Sequence, residues 1–153
     1  MNLALAHPEA IHPSLWKASQ LPRSGTRGID TGHPALTAEL PGDGWPAGAL
    51  VELLAQQTGI GELRLLAPVL ARAAGKPIVL IQPPHTLQPL ALAYWGVDPA
   101  RFVCLPAPRT ADALWAAEQV LRAGTCAVVL LWQSHVRADA LRRLNLAAQS
   151  GSA

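Results

Sequence analysis

From residue 34 onward the apolar positions fall into two kinds of run that alternate along the chain. Four short continuous runs, GALVELL (48–54), KPIVLIQPP (76–84), RFVCLPAP (101–108) and TCAVVLLW (125–132), are bounded by Gly, Pro or polar residues. Each has the length and composition of a buried strand. The stretches between them carry a helical period instead. HPALTAEL (33–40) predicts a short helix, closed by Pro41 and Gly42, which cannot continue it. Over 61–74, Leu63, Leu66, Leu70 and Ala74 share one helical face, and Pro68 predicts a kink or a late start. TLQPLALAYWG (86–96) predicts a helix with a glycine stop. TADALWAAEQVLRAG (110–124) predicts one capped by Thr110 or Asp112 and ended by Gly124. RADALRRLNLAAQSG (137–151) places Leu141, Leu144 and Ala148 on one face of a last helix.

Strands that are apolar throughout, alternating with helices, predict an α/β fold: a mostly parallel central sheet with helices on both faces. Residues 34–153 form this domain. The chain stops just after a helix, where a further strand is expected, so one sheet position is expected to stand open or to be filled by another copy, giving a homodimer. Residues 1–33, rich in Pro, Gly, Ser and His, predict a flexible N-terminal arm. Within it HPSLWKASQL reads as a short helix with Ser14 as cap. Its Leu15 and Trp16 either pack on the body or hook a partner.

Composition changes this picture in one respect. Half of the 153 residues are hydrophobic and only 14% are charged, against about 25% in an ordinary domain. So sparse a charge leaves apolar surface for a partner to cover. The net charge of +2 is too small to argue for nucleic acid by itself. Cys104 and Cys126, both inside apolar runs, predict buried thiols in a reducing compartment. Without a basic start followed by a long apolar run, no secretory signal is expected, and no run reaches the length of a membrane span. A cytoplasmic protein is expected. His7, His12, His33, His85 and His135 share no metal-ligand spacing, so no metal site is expected. Ser134, His135 and Asp139 lack the glycine elbow of a hydrolase nucleophile.

The loop after the first apolar run holds the place of a phosphate-binding loop without its chemistry. Such a loop reads G-x-x-x-x-G-K-[ST], with amides and a lysine on the phosphates and a hydroxyl on Mg²⁺. Here Gln56, Gln57, Thr58, Gly59, Gly61 and Glu62 occupy it. The first glycine and the lysine are missing, and Glu62 repels a phosphate. The run AVVLLWQS ends in Trp132, Gln133 and Ser134, where a nucleotide site needs a metal-binding aspartate. This degenerate loop predicts no nucleotide, no cofactor and no catalytic residue.

At this point the residues carry a resemblance. Thr31-Gly32, the helix from Leu36 to Leu40, the turn from Gly42 to Gly44, Pro46-Ala47-Gly48 and Val51-Glu52 are similar in order to the entry segment of RecA-family recombinases. LWKASQL, GDGWPAGALVELL, GIGELRLLAPVLAR, ADALWAAEQVLRAG and ALRRLNLAAQSG together resemble the ImuA family, RecA-like accessory proteins of bacterial DNA-damage mutagenesis. SulA-type cell division inhibitors share the shortened core but generally lack the GWPAGALVEL segment. The resemblance spans nearly residues 14–151. It implies a RecA-like three-layer fold and a non-catalytic role in the SOS response, DNA damage tolerance and translesion synthesis. Its implied partners are RecA, ImuB and the error-prone polymerase complex. The alternative is a SulA-type inhibitor binding the tubulin-like division protein FtsZ. Family members usually continue past LAAQSG with a strand and a basic tail, which this chain lacks.

Two surfaces are candidates for contact. Arg137, Arg142 and Arg143 make a basic face on the last helix, suited to RecA or to weak, indirect DNA contact, or else simply solvated. The strand-end rim around Gln56, Gln57, Pro83, Pro106 and Trp132 is neutral and suits a protein. Trp45 and Trp95 are further candidate anchors, while Trp115 is expected in the core or at its rim. The loop composition generates the first prediction. Equilibrium dialysis with labelled ATP and Mg²⁺ is expected to give no binding in the micromolar range, and micromolar binding at this loop would contradict it.

Overall fold

The computed structural model describes residues 28–73 and 75–151. Helices α1 (Pro34–Glu39) and α2 (Glu62–Arg72) precede strand β1 (Ile78–Ile81). Helix α3 (Pro89–Tyr94) and a 3-10 turn (Pro99–Arg101) lead to β2 (Phe102–Leu105). Helix α4 (Thr110–Ala123), β3 (Val128–Leu131) and α5 (Ala138–Gly151) complete the order. The three strands form one parallel sheet in the order β2-β1-β3. Ile78 stands level with Phe102 and Val128, and Ile81 with Leu105 and Leu131.

All four residues of β1 are buried, because this strand is bonded on both edges and covered on both faces. Alternation of side chains then sorts the core into two clusters. Val79 and Ile81 point to the face covered by α4 and α5, where Ala113, Ala117, Leu144, Ala147 and Ala148 pack. Ile78 and Leu80 point to the face covered by α2 and α3, against Leu70, Leu92 and Val97. The result is a three-layer α/β domain. Its α4–α5 interface is built largely from alanines, which let the two helices approach closely.

The structure departs from the sequence expectations at several places. Residues 48–54 form no strand. A strand needs a neighbour's amides and carbonyls, yet the Leu50 N–H donates to the Asn145 side chain on α5 (3.0 Å), and among the described residues β3 is paired only with β1. The segment lies outside the sheet, with Leu54 94% exposed. Cys126 is buried as expected, and burial pushes its thiol pKa up. Cys104 is exposed, because β2 is an edge strand whose middle residues Val103 and Cys104 are left uncovered. Trp115 is 65% exposed on the outer side of α4, whose buried stripe is Ala113, Ala117 and Leu121. Neither Thr110 nor Asp112 caps α4. Its N-cap is Arg109, without a side-chain cap bond. Helix α2 runs through Pro68. The expected arm and its Leu15–Trp16 helix lie outside the described residues as far as Arg27; Gly28 to His33 are held to the body by the Ile29–Trp45 bridge and an Asp30–Arg72 ion pair (2.7 Å).

Two joints fix the layers. The Arg101 guanidinium donates to the carbonyls of Leu70, Ala73 and Lys76, satisfying carbonyls at and beyond the end of α2 and tying that helix to the start of β2. Gly32, at φ +77°, lies directly on the Pro68 ring, where any Cβ would collide. Gly32→Ala is therefore expected to cost about 2–4 kcal/mol from backbone strain and overpacking together. Gly96, at φ +74°, has open space around it, so Gly96→Ala is expected to cost only the strain, about 1–2 kcal/mol. Urea titration of both variants checks the difference; equal losses would contradict the packing account.

Candidate functional site

The winding of the chain reverses at β1: α3 crosses one face to β2, and α4 returns over the other to β3. In such folds ligands bind in the crevice at the carboxyl ends of the strands on either side of the reversal. Here that crevice lies between β1 and β3, and the 56–61 loop reaches it. Gly59, at φ +79°, sits against His85 beyond β1. At the other side the Glu62 carboxylate closes the loop. Its Oε1 accepts the Gly59 N–H at 3.0 Å and the Trp132 indole N–H at 3.4 Å, and its Oε2 accepts the Gly61 N–H at 3.2 Å. Partial burial pushes the Glu62 carboxyl up. Hydrogen bonds from its own amide, Gly59, Trp132 and Gly61 outweigh that and hold it below the ordinary glutamate value. Two loop amides that could face an anion are thus satisfied by a carboxylate of the chain itself. Gln56, Gln57 and Thr58 stand exposed beside them.

A second feature lies on the α2–α3 face. His33, Arg64, Ala67, Pro68, Tyr94 and Trp95 line a cleft of about 610 Å³ that is mainly apolar. Helix α3 buries only Leu92. Leu90 and Tyr94, one turn apart on the same face, are 86% and 88% exposed. Tyr94 also belongs to the cleft lining, which includes the cationic Arg64. A monomer gains nothing from holding a phenol ring and a leucine side chain in water.

The expected contact residues are spread over the molecule. Arg142 and Arg143 are exposed on α5, away from its buried stripe, and Arg137 is paired with Asp139 at 3.1 Å. Asp139 is thereby bonded to Arg137. Trp132 is half-buried at the crevice and Trp95 lines the cleft. Trp45, expected as an exposed anchor, is instead 8% exposed, and its indole N–H has no partner among the described residues. The sequence reading missed Leu90 and Tyr94. The available signal was a six-residue helix, PLALAY, apolar all round, which is more than one buried face can absorb. Among the described residues no three His, Cys, Asp or Glu side chains come together as a metal site, and no helix is long and apolar enough to cross a membrane.

These features define a class: a three-layer α/β domain with a three-stranded parallel sheet, a strand-end loop closed by its own carboxylate, and an exposed apolar helical face. No family model matches the chain, and no curated protein does. Among solved structures it is similar to the crystal structure of SulA from Pseudomonas aeruginosa, with 31% identity and a TM-score of 0.57, over 71% of this chain and 93% of that one. The chain belongs to the SulA family.

The Glu62 clamp makes its own prediction. A group whose folded pKa lies below the unfolded one stabilises fully above the unfolded value, and the contribution disappears as pH falls through the folded value. Glu62→Gln is expected to lower stability at neutral pH by about 1 kcal/mol. The gap to the parent chain should close on acidification below the ordinary glutamate range. Urea midpoints measured across that range check it; a gap independent of pH would contradict the clamp.

Proposed function

We propose that this chain is a non-catalytic protein of the bacterial SOS response that works by binding another protein. Its three-layer body is a RecA-like core with a degenerate phosphate loop, and its target is the division protein FtsZ. The observation that carries this reading is the similarity to SulA along 93% of that chain. The closed crevice supports it, since Glu62 holds the amides a phosphate would need. A cytoplasmic location goes with it.

The α3 strip suits the contact better than the other candidates. Protein interfaces concentrate their energy in aromatic and aliphatic anchors near the centre, with charges at the rim. Leu90, Tyr94 and Trp95 with Arg64 have that arrangement. The Arg142/Arg143 pair on α5 offers only exposed charge, which salt screens.

A second reading, an ImuA-type accessory to RecA and ImuB, is favoured by one observation. The segment GDGWPAGALVELL (42–54), which SulA-type chains generally lack, is present here. On that reading Arg142 and Arg143 supply the contact. The two readings separate in one experiment. Stoichiometric suppression of FtsZ GTPase activity, weakened at least tenfold by Leu90→Ala with Tyr94→Ala and unchanged by Arg142→Ala with Arg143→Ala, is the expected outcome. Capture of RecA or ImuB that is lost with the arginine pair, with FtsZ unaffected, would overturn it.

A further inference from the structure

Most arginines of the described body already have partners. Arg72 is paired with Asp30, Arg109 with Asp112, Arg122 with Glu118 and Arg137 with Asp139. Arg101 donates to the carbonyls of Leu70, Ala73 and Lys76. Among the described residues, Arg64, Arg142 and Arg143 have no hydrogen-bonded or ion-paired partner. Arg142 and Arg143 stand on an exposed helix face, where water solvates them.

Arg64 has a different setting. It lines the α2–α3 cleft with Ala67, Pro68, Tyr94 and Trp95, and that lining holds no carboxylate. Glu62, the one acidic residue of α2, is engaged at the strand-end loop, and α3 has no charged residue at all. His33 and the Tyr94 hydroxyl are the other polar side-chain groups of the lining. The His33 Nε2 lies 3.2 Å from the Leu65 carbonyl, which can only accept, so that nitrogen carries the proton and is already bonded.

We propose that the face between α2 and α3 takes a protein segment that presents a carboxylate to Arg64, an Asp or Glu side chain flanked by apolar residues. This rests on the reading of that face as the partner surface, and adds what the partner must carry there.

Desolvation decides it. An apolar segment laid over Pro68, Tyr94 and Trp95 gains hydrophobic burial, but it also strips water from the Arg64 guanidinium. A charge taken out of water without a partner is strongly unfavourable. A carboxylate removes that penalty, because the guanidinium fork meets it with two parallel N–H donors in a medium of lowered dielectric. The same arginine therefore disfavours purely apolar segments and admits acidic ones, a discrimination that aromatic contact alone does not give. Size favours a protein segment over a small acid. Leu90, one turn from Tyr94 on α3, lies outside the cleft lining and is 86% exposed, so the exposed apolar surface of α3 extends past the cleft.

A phage library of random peptides, selected on the full chain, tests this without any known partner. Peptides whose binding is lost with Leu90→Ala and Tyr94→Ala are expected to carry an Asp or Glu beside aromatic or branched aliphatic residues. For the strongest of them, Arg64→Met is expected to weaken binding about tenfold or more, as is replacing the peptide's acidic residue by its amide. Arg64→Met should bind the amide form better than the parent chain does, because no charge is then left unpaired. Arg64 is exposed on α2 and methionine is a good helix former, so circular dichroism of the variant should match that of the parent chain. Peptides that need Tyr94 but show no excess of acidic residues would overturn the proposal. So would affinity indifferent to Arg64→Met, or a selection that yields no peptide dependent on Tyr94. If acidic peptides bind as expected and FtsZ is neither bound nor inhibited, the proposed target falls and this inference stands. If FtsZ inhibition depends on Leu90 and Tyr94 but not on Arg64, the target stands and this inference falls.

Discussion

A strand that is bonded on both edges and apolar on both faces can exist in water only if something covers it from every side. Strand β1 is such a strand, and the rest of the domain follows from covering it. Strands β2 and β3 satisfy its backbone, which sets the parallel register. The alternating side chains of Ile78 to Ile81 demand a layer on each face, which α2 and α3 supply on one side and α4 and α5 on the other. The two layers are unequal. Helices α4 and α5 have fourteen residues each and mesh through alanines, whereas α3 has six residues and inserts only Leu92. The apolar surplus of α3, Leu90 and Tyr94, stays exposed, as do Leu54 and Trp115 elsewhere on the body.

The same asymmetry of use appears at the strand ends. A parallel sheet with reversed winding creates a crevice whether or not a ligand fills it, and the loop amides beside it are open to a negatively charged group. Glu62 takes two of them locally. Its carboxylate supplies the negative charge that a phosphate supplies elsewhere, and through the Trp132 indole it joins the loop to the end of β3. With those amides taken from within, the face of α3 that carries Leu90 and Tyr94 stays open to solvent.

Much of the fold was legible in the hydrophobic pattern, because a run of apolar residues bounded by Gly and Pro reports what a segment can bury. That is why β1, β2, β3 and the five helices α1 to α5 fall within the expected ranges. The pattern does not report whether a partner is at hand. GALVELL has every property of a strand, yet Leu50 spends its amide on Asn145, ninety-five residues away, and nothing in the segment itself foretells that. Cys104 and Trp115 failed for a related reason: burial depends on which edge or face is covered, a property of the assembled layers. At the candidate site the missing lysine and the charge of Glu62 were readable. That its carboxylate would take the loop amides was not, since the arrangement needs Trp132, seventy residues on.

The central claim is that recognition has moved from the strand-end crevice to the strip between α2 and α3. Amide and side-chain NMR shift mapping of the full chain, with FtsZ added in steps, tests it most directly. The account predicts that signals of Arg64, Leu90, Tyr94 and Trp95 shift or vanish while the amides of Gly59 and Gly61 hold their positions. Shifts confined to Gly59, Gly61 and the Trp132 indole, with α3 unmoved, would contradict it.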